Sequence, residues 1–103
     1  MTGKELRESI RTKWGYSYDL QLRRVRDRIY LQVMWRFQEQ ASFPLSESEY
    51  LEHLNAIASH LNSWNCSDAV VAFLQETREK PRLGKAVSIP LELAEGIASE
   101  WLL

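Results

Sequence analysis

The sequence predicts a small two-layer α+β domain with elements in the order α-β-β-α-α-β, an antiparallel hairpin packed against helices. Three observations carry this. Two capping-box patterns, Thr2 with Glu5 and Ser46 with Glu49, each precede apolar residues at helical spacing. Between them, residues 18–37 change to a period of two, the mark of strands with one buried face. A two-stranded hairpin is marginal alone in water, so helices must cover its apolar side.

The first helix is expected over residues 3–14. Its stripe is Leu6, Ile10 and Trp14, and Gly15 supplies the left-handed residue that commonly closes a helix. Tyr18, Leu20 and Leu22 then alternate with polar residues, as do Ile29, Leu31, Val33, Trp35 and Phe37. A turn centred on Arg26 and Asp27 sets Leu22 opposite Leu31, Leu20 opposite Val33 and Tyr18 opposite Trp35. Arg-Asp is not the Asn-Gly chemistry that a two-residue turn prefers, so a longer loop or a bulge near Val25 is the alternative.

Ser46 opens the strongest helix, with Leu51, Leu54, Ile57, Ala58, Leu61 and Trp64 on one face and an end near Asn65, a residue that tolerates the left-handed conformation. Ser67 is expected to cap a third helix from Asp68 to about Glu79, making a helical hairpin. Pro81 cannot continue it, Gly84 allows a turn, and Ala86–Ile89 is a third, edge strand ahead of Pro90. In the tail, residues 91–103, Leu93, Ile97 and Trp101 recur at spacing four but Gly96 weakens a helix, leaving a short helix or a frayed end. Residues 1–103 read as one domain, without repeats or linkers.

A chain of 103 residues buries about two-thirds of its unfolded surface, enough for one core and too little for a two-domain enzyme. The longest apolar run, Ala69–Leu74, is far short of the roughly 20 residues that cross a bilayer, and no apolar segment follows the charged N-terminus. The expectation is a chain without a membrane span or secretory signal. Cys66 is the single cysteine, which excludes an internal disulfide and favours a reducing, cytoplasmic setting. The net charge of −1 conceals an uneven distribution: residues 1–36 carry net +5, residues 37–76 net −6, residues 77–85 net +3 and residues 86–103 net −3. If the two basic blocks meet in space, one side of a nearly neutral protein is locally cationic.

Residues 18–37, Ser42-Phe43-Pro44-Leu45-Ser46 with Glu49-Tyr50-Leu51, and above all the stretch from Glu76 to Leu91 with its Arg-Pro-Arg-Leu-Gly-Lys-Ala-Val core, resemble the domain of unknown function 3067 family of cyanobacterial and plastid proteins. The likeness spans about residues 3–91. It implies an oxygenic phototroph as source and a setting near the photosynthetic apparatus, and it brings no catalytic residues.

The richest candidate site is the basic segment Arg78, Lys80, Arg82 and Lys85, held extended by Pro81 and Gly84. Arg offers a fork of donors and Lys a movable charge, so such a segment can grip carboxylates or phosphates. The competing reading is a solvated end of the third helix, where cations favour the negative pole of the dipole. A second cluster, Arg23, Arg24, Arg26 and Arg28, surrounds the hairpin turn, with Trp14, Tyr16, Tyr18 and Tyr30 near it in sequence. Cations interleaved with aromatics can bind single-stranded nucleic acid, but a charged turn is also the usual way to keep a hairpin end soluble, and the nucleic-acid role is the less favoured.

His53 and His60 stand about 10 Å apart along their helix, too far for one metal, and a Glu49/His53 pair reads better as local helix support. Cys66 precedes the third helix, where the dipole could activate a thiol, against the commoner packed cysteine. No nucleotide-binding glycine loop, serine elbow or triad signature is present. The expectation is therefore no cofactor, no metal and no enzyme, with a cryptic small-molecule binder or an enzyme whose constellation assembles only in space as the remaining alternative. The preferred reading is an interaction module for another protein with an acidic surface, through Arg78–Ala86 and the sheet edge. Four Trp and the Leu102-Leu103 end add apolar surface that either packs on the sheet or serves a partner.

Overall fold

A capping box opens the first helix, α1 (Gly3–Trp14): the Glu5 amide donates to Thr2 Oγ1 at 3.1 Å and the Thr2 amide to Glu5 Oε1 at 3.0 Å. Gly15, at φ 87°, closes it. The structure, a computed structural model, describes residues 1–93. Helix α1 lies so close to α2 (Glu47–Ser63) that a Cβ on Gly3 would fall 2.5 Å from Asn55 Oδ1, the atom to which the Gly3 amide donates. Ser46 and Glu49 form the second capping box, and Asn65, at φ 58°, turns the chain after α2.

Strands β1 (Tyr18–Val25) and β2 (Arg28–Phe37) pair antiparallel through the two-residue turn Arg26-Asp27, with Leu22 opposite Leu31 and Leu20 opposite Val33 as the alternation predicts. The next rung departs from expectation. Tyr18 faces Phe37, not Trp35, because Met34, Trp35 and Arg36 of β2 oppose Asp19 alone, and the bulge lies here and not near Val25. Polar side chains hold the opposite rim of β1 at this point. Asp19 Oδ1 accepts the Leu20 amide at 3.0 Å, Tyr50 donates its hydroxyl to Tyr18 O at 2.8 Å, and His53 Nε2 lies 2.6 Å from Leu20 O. Helix α2 thereby occupies the outer rim of the first half of β1.

Helix α3 (Ser67–Glu76) corrects two expectations. Ser67 is its first residue, not its cap, and donates its hydroxyl to Asn62 Oδ1 at 2.7 Å, while Cys66 takes the cap position without a side-chain bond. The helix also stops three residues short of Glu79, with Thr77 extended at φ −65°, ψ 142°. Strand β3 (Val87–Leu91) pairs antiparallel with β2, from Val87 opposite Val33 to Leu91 opposite Ile29, so the sheet order is β1-β2-β3. The predicted third strand is present, begins one residue later than Ala86, and runs through Pro90 to Leu91. Pro90 has no N–H to give, and an edge strand tolerates that.

One face of the sheet is buried, through Leu20, Ile29, Leu31, Val33, Val87 and Ile89, under Leu6 and Ile10 of α1, Tyr50, Leu54 and Leu61 of α2, and Val70 and Leu74 of α3. The other face carries Gln21, Arg23, Tyr30, Gln32, Ser88 and Pro90, exposed or half-buried. This is the expected two-layer α+β arrangement in the expected order. Leu93 packs on the core, and the rest of the anticipated tail stripe, Ile97 and Trp101, lies outside the described residues.

Candidate functional site

The segment after α3 leaves the helix with Thr77 extended and is held by several independent restraints. Thr77 Oγ1 accepts the Glu79 amide at 3.2 Å, which draws that amide away from a helical partner. Trp14, at the end of α1, donates its indole N–H to Glu79 O at 3.0 Å across 65 residues of sequence. Pro81 is buried and restricts Lys80 before it to extended backbone. Thr77 is half-buried and Pro81 inside, while Arg78, Glu79, Lys80 and Arg82 are exposed.

A tight turn follows. The Arg82 amide donates to Lys85 O at 3.0 Å and the Lys85 amide to Arg82 O at 2.7 Å. Gly84 supplies the left-handed φ of 78° that this turn requires, and nothing lies within 4 Å of where its Cβ would be. Leu83 is held at the tip, 90% exposed. Arg78, Lys80, Arg82 and Lys85, with Glu79, Ala86 and Val87, line a depression of about 230 Å³. Among the described residues the ion pairs are Arg7–Glu47, Arg11–Glu8, Arg11–Glu39 and His53–Asp19, so none of these four cations is neutralised there. The alternative in which they decorate the last turn of α3 is overturned, since that turn contains no basic residue.

The hairpin cluster is a separate place. Arg26 stands at φ 57°, and Arg24 Nε donates to Arg26 O at 3.0 Å, so one arginine of the cluster braces the turn. Arg23 sits opposite Tyr30, and Arg28 opposite Val25. The remaining aromatics expected beside it are at the other end of the sheet: Tyr18 meets Phe37, Trp14 packs edge-on to Tyr18 at 6.0 Å, and Tyr16 lies 4.5 Å from the Phe37 ring. The two basic blocks meet only where the end of α1 reaches Glu79 through Trp14, and the hairpin arginines stay remote from the 78–85 segment. Lys85 lies beyond the Val87–Val33 rung and Arg28 beyond the Leu91–Ile29 rung, four residues or about 13 Å apart along β2.

The other chemistry-bearing side chains hold the fold. Glu49 is committed to its capping box, whose Ser46 bonds keep its carboxyl below the ordinary range, and His53 turns to the Leu20 carbonyl, so the Glu49/His53 pair is not formed. His60 stacks on Trp64 with centroids 5.0 Å apart. Cys66 is buried against Trp64 O and Glu92 O, and burial pushes its thiol up, the reverse of activation by the α3 dipole. Among the described residues no group of three or more His, Cys, Asp or Glu is placed to hold a metal. Nor is any described helix long and apolar enough to cross a membrane.

Two residues of the corner carry little signal in the sequence. The helical stripe marks Trp14 as apolar but says nothing of where its indole N–H goes. Leu83, an apolar residue among Arg82, Gly84 and Lys85, has a readable signature in that it breaks the polar pattern of a turn.

Comparison with known proteins adds the following. The family described as Domain of unknown function (DUF3067) matches residues 4–102. A search of curated proteins finds no match. Among solved structures, the solution NMR structure of the Alr2454 protein from Nostoc sp. strain PCC 7120, a structural genomics target, is 55% identical, covers 100% of this chain and 98% of its own, and superposes with a TM-score of 0.88.

Proposed function

The chain belongs to the domain of unknown function family DUF3067, and on that premise we propose that it is a non-enzymatic interaction module, an assembly or regulatory accessory factor of an oxygenic phototroph, whose Arg78–Lys85 segment docks on an acidic surface of another protein. The observation that carries the reading is the group of exposed cations, Arg78, Lys80, Arg82 and Lys85, gathered with Glu79 round one depression and without an ion-pair partner among the described residues. A segment already fixed by Trp14, Pro81 and the Arg82–Lys85 turn loses little freedom on binding, which favours affinity. The cations would select the partner by charge and speed its encounter. The side chains best suited to catalysis support the non-enzymatic part, since His53 and Glu49 are engaged in structural bonds and Cys66 is buried. The 55% identity to a protein of Nostoc, a cyanobacterium, supports the phototroph setting.

The test is a tagged copy expressed in a cyanobacterial host, beside the Arg82→Glu/Lys85→Glu variant. Both replaced residues are exposed, so the fold should survive, as amide spectra of the core would check. The reading expects a co-purifying protein that the variant loses. An unchanged set of co-purifying proteins removes this segment from consideration.

A further inference from the structure

We infer that the acidic surface docked at this corner carries a large apolar side chain bordered by its carboxylates, and that this side chain seats on Leu83. The inference rests on the acidic-partner reading and names the contact that gives it affinity. Leu83 is 90% exposed, against 44% for Tyr16 and 50% for Val25, the other exposed large apolar side chains among the described residues. Its place is nonetheless fixed. The Arg82 and Lys85 main chains exchange bonds of 3.0 and 2.7 Å on either side of it. Of the two central residues of this turn only Gly84 stands in the left-handed region, at φ 78°, so the turn asks for glycine there and accepts any side chain at Leu83. Neither the core nor the turn uses the leucine.

The surroundings decide what Leu83 can meet. Arg82 and Lys85 bracket it in the turn, and they line one depression with Arg78, Lys80 and a single acid, Glu79. The apolar residues of that depression, Ala86 and Val87, are half-buried and buried, so Leu83 is the apolar group that the corner offers to a partner. Exposed ion pairs are screened by salt and contribute little alone, whereas an apolar contact closed off from water inside a charged rim supplies most of the affinity of an interface. The cations provide such a rim, at net +3 over residues 77–85, and select carboxylates round the group that covers Leu83. A single strand of nucleic acid matches the charge, but its bases stack on flat rings, and Leu83 is not one.

The experiment is an amide-resolved NMR titration of the full chain at low salt with three probes. These are a capped peptide with two Asp on each side of a Phe, the same peptide with Ser in place of the Phe, and an eight-nucleotide oligouridylate. The proposal expects the largest shifts at Arg82–Lys85 and binding of the phenylalanine peptide about tenfold tighter than of the serine peptide, the lower end of what burying one leucine side chain gives. In Leu83→Ser the two peptides should bind alike, at the affinity the parent shows for the serine peptide, while Leu83→Met should keep the preference. Leu83 takes no part in the core, and unchanged core amides show that both variants fold. Equal affinity of the parent for the two peptides, or a phenylalanine preference that survives Leu83→Ser, would overturn the part given to Leu83 while leaving an acidic partner standing. Silence at Arg78–Lys85 with both peptides would overturn both readings. Tighter binding of the oligouridylate than of the phenylalanine peptide would overturn the proposal in favour of nucleic acid.

Discussion

Replacing Trp14 by phenylalanine keeps a ring against Tyr18 but deletes the indole N–H that Glu79 O accepts at 3.0 Å. Its magnitude follows from the surroundings. A net hydrogen bond is worth about 0.5–1.5 kcal/mol, and because Glu79 is exposed, water takes over its carbonyl and places the loss in the lower half of that range. The smaller ring also gives up apolar contact, at about 0.8 kcal/mol per buried carbon and less for the half-buried Trp14. Together these come to about 1 kcal/mol, or a fall in Tm of about 4–8 °C for a domain of this size. The sharper expectation is local. Amide hydrogen exchange in W14F should accelerate at Glu79, whose N–H bonds Thr77 Oγ1, and at Arg82, whose N–H bonds Lys85 O, by more than at Leu31 in the centre of the sheet. Acceleration at Glu79 and Arg82 no greater than at Leu31 would refute the idea that the indole holds the segment in place, and a stability loss above about 3 kcal/mol would show Trp14 to be a core residue instead.

Four further expectations follow from the geometry. Gly84→Ala forces a side chain into a left-handed turn at a cost of roughly 1–2 kcal/mol with no clash to relieve, so it should loosen Arg82–Lys85 in exchange measurements while Gly84→Asn restores most of the protection. Gly3→Ala sets a methyl against Asn55 and should lower the urea midpoint by the equivalent of about 1–3 kcal/mol, a substitution harmless in an open helix. Burial works to raise the Glu39 carboxyl, but bonds from the Ser17 amide and hydroxyl and from Arg11 hold it below its ordinary value of 4.5. A carboxyl more acidic in the folded chain binds fewer protons there, so its stabilisation is whole above pH 4.5 and drains away as the pH falls further. Urea melts at pH 7 and pH 3 should show a smaller drop in E39Q than in the parent; Asp19, raised by burial, contributes with the opposite sign, so the comparison is cleanest in a D19N background. Finally, Cys66 should react with a thiol reagent at the rate of unfolding, because its thiol is buried and pushed up; rapid labelling of the native chain would contradict its packing.

The parts of the fold legible in the sequence are those fixed by neighbours along the chain. Thr2 with Glu5 and Ser46 with Glu49 bond within three residues, so the starts of α1 and α2 could be read directly. The inner hairpin register could be read as well, since a one-residue slip would turn one strand's apolar set, Leu20 and Leu22 or Leu31 and Val33, to water. The bulge opposite Asp19 could not, because the alternation runs through it unmarked, and the bonds that Tyr50 and His53 make beside it arrive from α2 more than 30 residues later. The end of α3 was hidden for a similar reason. Pro81 opposes helix over the residues just before it, but the stop as early as Glu76 goes with bonds the sequence does not show, Thr77 Oγ1 to the Glu79 amide and Glu79 O to the Trp14 indole. Of the candidate site, composition shows the cations and Pro81 implies extension, but only the folded chain shows that the hairpin arginines are remote and that Trp14 and Tyr18 accompany the other cluster.

The bonds that Tyr50 and His53 make to Tyr18 O and Leu20 O close the first half of one flank of the sheet. A ribbon that can be extended from only one flank admits a single guest strand, or one twin in a closed pair, and then has nothing further to offer. Endless stacking of strand upon strand needs two welcoming sides. By spending a tyrosine and a histidine at the start of β1, the molecule withdraws that stretch of rim from any growing fibre.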